Sequence, residues 1–305
     1  LQDGAGVVLE GTSSVETANA YYRWFNQLAV HQGVNVELKL DDLSPSLPRL
    51  AAQQIQFAGT DISPSAKELK ALPHGILAFP VTGLAIAVAY NQPNCQLQLT
   101  RTLLVELFLG KIRNFSELGC SDQPITLLHR GDASATTAHF TATLAAVSPI
   151  WRQGPGSGRI VPWPSGAPVQ GADAMANALA ATPGSIGYLE SSFLRAPLQS
   201  AALQNRKGEF VRLDIKAAAL SLSGIELDNR LLGSSPDPLS GYPIVNLSWM
   251  LVPRKGLADN LPAIKTSLAY ILSGAGQDDA ELLGFVRLPV DLRQKSLSQL
   301  GSLQH

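Results

Sequence analysis

An apolar run that breaks into small hydroxyl-bearing residues and then resumes at helical spacing occurs twice in this chain, and that repeated order narrows the fold most. Val7 to Glu10 reads as a strand, Gly11-Thr12-Ser13-Ser14 as a loop, and Val15, Ala18, Tyr22, Phe25 and Ala29 as one face of a helix ending near His31. Ile125 to Leu128 reads as a second buried strand. It runs through His129-Arg130-Gly131-Asp132-Ala133-Ser134-Ala135-Thr136-Thr137 into a helix carrying Phe140, Leu144 and Val147. Such a join suits an anion. The first N–H groups of a helix have no intrahelical partner, and the macrodipole places partial positive charge there. Ser134, Thr136 and Thr137 add hydroxyls, and Arg130 adds a planar, permanently charged fork that Asp132 is placed to hold. The competing reading of each stretch is a capped helix, with Arg130 and Asp132 as a surface ion pair.

The remaining segments continue the alternation. Val34 to Leu40 alternates apolar and polar residues as a strand does, and the loop Asp41-Asp42-Leu43-Ser44-Pro45-Ser46-Leu47-Pro48 opens a short helix. A strand from Ile55 to Ile62 carries Asp61 at its end, where an aspartate commonly serves only a turn or a cap. Ile76 to Phe79 and Leu84 to Tyr90 read as two strands joined flexibly by Pro80-Val81-Thr82-Gly83. Thr100 caps a helix through Phe108; a glycine and proline stretch covers Gly154 to Pro168; a helix starts at Gly171-Ala172-Asp173; and Ile186 to Leu189 is a strand. A less regular segment reaches Ser240, the apolar run Leu247 to Val252 is a second crossing, and the last long helix carries Leu261, Ile264, Leu268 and Ile271. Strands alternating with helices predict an α/β fold. The two crossings predict a lobe inserted into another, with a cleft between them, into which the ends of several strands deliver Gly11 to Ser14, Asp61 and Arg130 to Thr137.

Composition removes other classes. The 305 residues are 45% hydrophobic but only 15% charged, with a net charge of −1, so no basic excess suits nucleic acid or an anionic membrane. The longest apolar run, Gly83 to Tyr90, is too short to span a bilayer. Leu1 begins near a strand, which fits a mature or trimmed chain whose signal peptide is absent. The two cysteines, Cys95 and Cys120, flank one helical segment; they pair in an exported protein and are separate thiols in the cytosol. The histidines show no ligand spacing, so no metal or cofactor is expected. Gly110-Lys111 lacks the glycine-rich lead-in of a nucleotide loop, and Ser157 lacks the spacing of a nucleophile elbow.

Taken in order, these stretches resemble the phosphate-binding protein family of the bacterial Pst ABC transporter. Gly11-Thr12-Ser13-Ser14-Val15 looks like its first anion loop, and Phe57-Ala58-Gly59-Thr60-Asp61 like the strand whose terminal aspartate accepts the ligand's proton. Arg130-Gly131-Asp132-Ala133-Ser134-Ala135-Thr136 is similar to the family's R-x-D-G-S-G-T loop, with alanine at its two glycines. Phe79-Pro80, Leu109-Gly110-Lys111-Ile112, Val161-Pro162-Trp163-Pro164, Gly184-Ser185-Ile186-Gly187-Tyr188-Leu189-Glu190 and Tyr242-Pro243-Ile244 add weaker matches along nearly the whole chain.

The resemblance implies a type II periplasmic binding protein fold, two α/β lobes on a two-strand hinge. Residues 1–82 and 244–305 would form lobe I, and 83–243 the inserted lobe II. It implies a non-enzymatic, monomeric periplasmic protein that binds inorganic phosphate and delivers it to the membrane permease, with Cys95 and Cys120 as a disulfide. Ser13, Ser14, Arg130, Ser134, Ala135 (through its N–H) and Thr136 would bind the anion, Asp132 would orient Arg130, and Asp61 would accept the proton that phosphate keeps. Sulfate has no such proton and would face a repelling carboxylate, which implies discrimination of at least ~1000-fold. The family's glycine- and serine-rich loop after the second strand is replaced here by Asp41 to Ser46, where Ser44 is the best positional match and Ser46 the next. That departure leaves open another oxyanion, or a sensing or surface-binding role. A phosphatase is the remaining alternative.

Overall fold

The computed structural model describes residues 6–305, so the expected mature start at Leu1 lies outside the described residues. Contacts divide the chain into two units. One holds the chain up to Gly83, Glu226–Ser234 and Leu247–His305; the other holds Leu84–Ile225 and Ser235–Asn246. The segment Glu226–Ser234, read from sequence with the inserted lobe, thus packs in the first unit.

The chain opens with β1 (Val7–Ser13), α1 (Ala18–Gln32), β2 (Val34–Leu40), α2 (Leu43–Ala51), β3 (Phe57–Thr60), α3 (Ala66–Leu69) and β4 (Ile76–Tyr90). It continues through β5 (Gln98–Leu99), α4 (Arg101–Phe108), β6 (Thr126–Arg130), α5 (Ala135–Val147), α6 (Pro149–Gln153), β7 (Ala167–Val169), α7 (Ala172–Ala181) and β8 (Ser185–Glu190). Short strands β9 (Gln199–Ser200), β10 (Ala202–Gln204) and β11 (Phe210–Val211) lead to α8 (Ile215–Leu222), and β12 (Val245–Pro253), α9 (Leu261–Ile271), α10 (Gly274–Leu282) and α11 (Val290–Ser298) finish the chain.

In the first unit the strands run β2-β1-β3-β12, parallel except for β12. Helix α1 forms because Tyr21, Trp24, Phe25 and Leu28 recur on one face and are buried there, and it stops at Gly33, whose φ of 66° closes the cap onto the Leu28 carbonyl. Tyr21 and Phe25 both stack on Phe57, with ring centres 5.7 Å away in each case. Gly11 admits that ring: a Cβ there would lie 2.2 Å from Phe57 Cζ, so only glycine lets β1 pass over it. These contacts seat β1 and β3 against α1, and Ser14 and Asp61 directly follow the two strands.

In the second unit β4, β8, β6 and β7 lie side by side, with β6 parallel to β7 and β8 and β8 antiparallel to β4. One sheet face is covered by α7 through Met175, Ala176 and Leu179, which pack with Leu128. On the other, Phe108, Phe140, Trp163 and Tyr188 form a ring cluster. Cys95 and Cys120 are joined by a disulfide, with Cα atoms 5.5 Å apart, tying the segment after β4 to the loop before β6.

Three expectations change. Strand β4 is continuous where a flexible join was read at Pro80 to Gly83, because Gly83 exchanges two backbone bonds with Val286 (2.7 and 2.8 Å) that keep it extended. The Asp41 to Pro48 loop is mostly helix. Asp42 is the extended cap residue of α2, and Pro45 sits in the first turn, where its missing N–H costs no helical bond. The segment read as irregular before Ser240 contains β9 to β11 and α8, elements too short to display a period.

Candidate functional site

The first cluster gathers at Asp61, directly after β3. The residue is 2% exposed, and its carboxylate accepts hydrogen bonds from three hydroxyls: Ser14 Oγ to Oδ2 at 2.6 Å, Thr17 Oγ1 to Oδ1 at 2.7 Å and Ser248 Oγ to Oδ1 at 2.6 Å. These short, charge-assisted bonds come from three different elements. Ser14 follows β1, Thr17 precedes α1, and Ser248 lies on β12, where the pairing of Trp249 with Thr60 carries it alongside Asp61. The hydroxyl loop is therefore not a helix cap in the sense expected of Thr12 to Ser14. The residue before α1 is Thr17, whose side chain makes no cap bond, although its N–H reaches Ser14 Oγ at 3.3 Å. Ser13 is buried, and its Oγ donates to the Ser14 carbonyl at 2.9 Å. The Tyr21 phenol is pushed up by burial first and by the nearby Asp61 carboxylate second. Ser44 is exposed on the first turn of α2, and its Oγ is 3.4 Å from Glu68 Oε1. Ser46 is buried and donates to the Asp42 carbonyl at 2.7 Å.

The second cluster is built on the loop from β6 to α5. Arg130, the last residue of β6, is 6% exposed. Asp132 holds its guanidinium at two points, Nε to Oδ1 at 2.8 Å and Nη2 to Oδ2 at 2.6 Å, and takes the Gly171 N–H at 2.9 Å on Oδ1. Burial raises the Asp132 carboxyl, but the Arg130 hydrogen bonds, the Gly171 N–H and the guanidinium charge together outweigh it and bring its pKa to about 2. Ser134 is the cap of α5. Its Oγ accepts the Thr137 N–H at 3.0 Å and donates to Thr137 Oγ1 at 2.9 Å. Ala135 is the first helical residue, and neither it nor Ala133 has positive φ, so alanine replaces the family's glycines here without backbone strain. Thr136 donates to Glu190 Oε1 at 3.2 Å, a buried acid at the end of β8. Gly131 cannot be replaced so easily, since a Cβ there would stand 2.3 Å from Gln170 Nε2 and 2.9 Å from Pro168 Cβ.

His129 turns away from the Arg130 loop, as alternation along a strand requires. Its ring stacks on Trp163 with centres 4.9 Å apart, and Nδ1 lies 3.0 Å from the Arg130 carbonyl. The sequence names Thr137 among the loop hydroxyls but gives no role to Thr17 or Ser248, and none to Tyr188 or Glu190 beyond a weak motif match. Ser248 carried one signal, a hydroxyl within the apolar run Leu247 to Val252; Tyr188 carried none that distinguishes it from a core aromatic. Among the described residues no three His, Cys, Asp or Glu side chains gather where they could hold a metal ion, and no helix is long and apolar enough to cross a membrane.

Two α/β units, one inserted in the other, with polar clusters at their strand ends, define the type II periplasmic binding protein fold. A high-affinity periplasmic phosphate-binding protein, PfluDING, solved with phosphate bound, shares this fold with a TM-score of 0.75 at 18% identity, over 96% of this chain and 94% of its own. The chain belongs to the PBP superfamily, whose domain model matches residues 2–275. It is similar to the phosphate-binding protein PstS of Xylella fastidiosa strain Temecula1, with 28% identity over 265 residues, 81% of this chain and 72% of that protein. It is also similar to PstS of Haemophilus influenzae, with 26% identity over 298 residues, 92% of this chain and 88% of that protein.

Proposed function

We propose that this chain is an exported solute-binding protein that takes up inorganic phosphate and delivers it to the membrane permease of an ABC transporter, its two units serving as the two lobes. The observation that carries the reading is the Arg130 loop: a buried guanidinium, locked in plane by Asp132, beside the first turn of α5. Arg130 supplies charge, and the N–H groups of Ala135 and Thr136 supply donors that the helix itself does not use. The Ser134 and Thr136 hydroxyls, which here donate to Thr137 Oγ1 and Glu190 Oε1, turn to the anion from the same loop when it binds. Ser13 and Ser14 contribute donors on the other unit, and Asp61 accepts the proton that phosphate retains. The Ser14, Thr17 and Ser248 hydroxyls hold the Asp61 carboxylate in place as an acceptor. Ser44 joins the set on the resemblance alone.

Calorimetry of Arg130→Ala tests the reading. Phosphate binding weakens by about 2–5 kcal/mol, because the anion loses its charge partner; an unchanged dissociation constant overturns the assignment. A second reading, another oxyanion as ligand, draws on the position of Ser44, whose hydroxyl is directed to Glu68. Titration with phosphate, arsenate, sulfate and molybdate separates the two. Turnover of a chromogenic phosphate ester, with and without divalent metal, would replace both with a phosphatase.

A further inference from the structure

Tyr188 is wholly buried on β8, and its hydroxyl meets both ends of the loop that carries Arg130. The Arg130 N–H donates to Tyr188 Oη at 3.0 Å, and Thr137 Oγ1 lies 2.7 Å from the same atom. Thr137 Oγ1 in turn accepts the Ser134 hydroxyl at 2.9 Å, so one phenol oxygen joins the end of β6 to the first turn of α5 through neutral groups. Asp132 fixes the guanidinium of Arg130, but nothing in that ion pair fixes the backbone that presents it.

We propose that Tyr188 is the positioning residue of the anion loop, its hydroxyl clamping the Arg130 backbone to Thr137 so that guanidinium and helix N-terminus keep one spacing. The proposal rests on the phosphate-binding reading of this loop. A phenol suits the task for two reasons. Its ring is held by stacking on Phe140 and Trp163, with centres 4.4 and 5.5 Å away, so the oxygen has a fixed origin. It also adds no charge beside an anion: burial above all pushes the phenol up to about 12, so it keeps its proton at any pH the protein meets.

Tyr188→Phe keeps the stacked ring and removes the clamp. Phosphate titration by calorimetry is expected to show about tenfold weaker binding, with the protein still folded by thermal melting. The Arg130 backbone amide proton, followed by NMR, is expected to move upfield as its acceptor is lost. Thr137→Val cuts the same link from the other side and should weaken binding to a similar degree, whereas Thr137→Ser, which keeps the hydroxyl, should restore it. Binding within twofold of the parent in Tyr188→Phe, or equal loss in Thr137→Ser and Thr137→Val, overturns the proposal. A lower melting temperature in Tyr188→Phe with affinity intact would do the same, showing a core tyrosine only. If Tyr188→Phe does not fold, the Thr137 pair decides alone. Failure of the parent protein to bind phosphate would instead remove the phosphate reading, and this one with it.

Discussion

Arg130 and Asp132 meet edge to edge, Nε on Oδ1 at 2.8 Å and Nη2 on Oδ2 at 2.6 Å, although only one glycine separates them in sequence. The pairing sets the plane of the guanidinium before any ligand arrives, and preorganisation of this kind lowers the ordering cost of binding. Its pH signature follows from the depressed Asp132 carboxyl. A carboxyl held near pH 2, against an ordinary value of 3.8, contributes stability above about pH 4 and loses it as the pH falls through 2. Denaturant melts across this range should show the parent losing stability below pH 4, and Asp132→Asn losing less over the same window. Identical acid profiles would show that the pair carries no linked stability.

Asp61→Asn is expected to exchange selectivity rather than erase it. An amide can donate to a fully ionised oxyanion where the carboxylate repels it, so phosphate binding should weaken while sulfate binding improves. Competition titrations with the two ions measure the ratio, and a parallel loss of both would reject the proton-reading role.

Ser248→Ala and Thr17→Val each remove one hydroxyl from Asp61 Oδ1. Each should cost phosphate binding about 1–2 kcal/mol by loosening the carboxylate. The two together should cost less than the sum, because both serve the same oxygen. Full additivity in calorimetry would place their effects outside the Asp61 group.

Reduction of the Cys95–Cys120 bridge releases a loop of sequence separation 25. The chain-entropy relation puts the expected loss at about 3.5 kcal/mol. Thermal melts with and without reductant should show a fall in melting temperature, and no shift would mean the loop is held without the bond.

Much of this was readable from the chain where the signal is local. Arg130 and Asp132 stand two apart, and the helical period placed α1, although of the face read as Val15, Ala18, Tyr22, Phe25 and Ala29 only Ala18 and Phe25 are buried; Val15 and Tyr22 are exposed, and Tyr21, Trp24 and Leu28 complete the packed face. What long-range pairing decides was not readable. Ser248 reaches Asp61 only because β12 runs antiparallel to β3 in a particular register, and Gly83 stays extended only because Val286 returns to it. The stretch from Asp41 to Pro48 looked like a loop because two prolines interrupt it, yet Pro45 falls where a helix tolerates it. The hydroxyls were legible as a group. Their acceptors were not, since nothing in sequence says that Thr136 faces Glu190 or that Ser134 faces Thr137.

The ring cluster beneath the Arg130 loop also gives the protein an optical gauge. The ring centre of Trp163 lies 5.5 Å from that of Tyr188 and 5.8 Å from that of Trp151, so energy absorbed by the tyrosine passes readily to the indoles. Of the four tryptophans, this pair would therefore report on the loop's surroundings without any attached dye, and the difference spectrum against Trp163→Phe isolates its share.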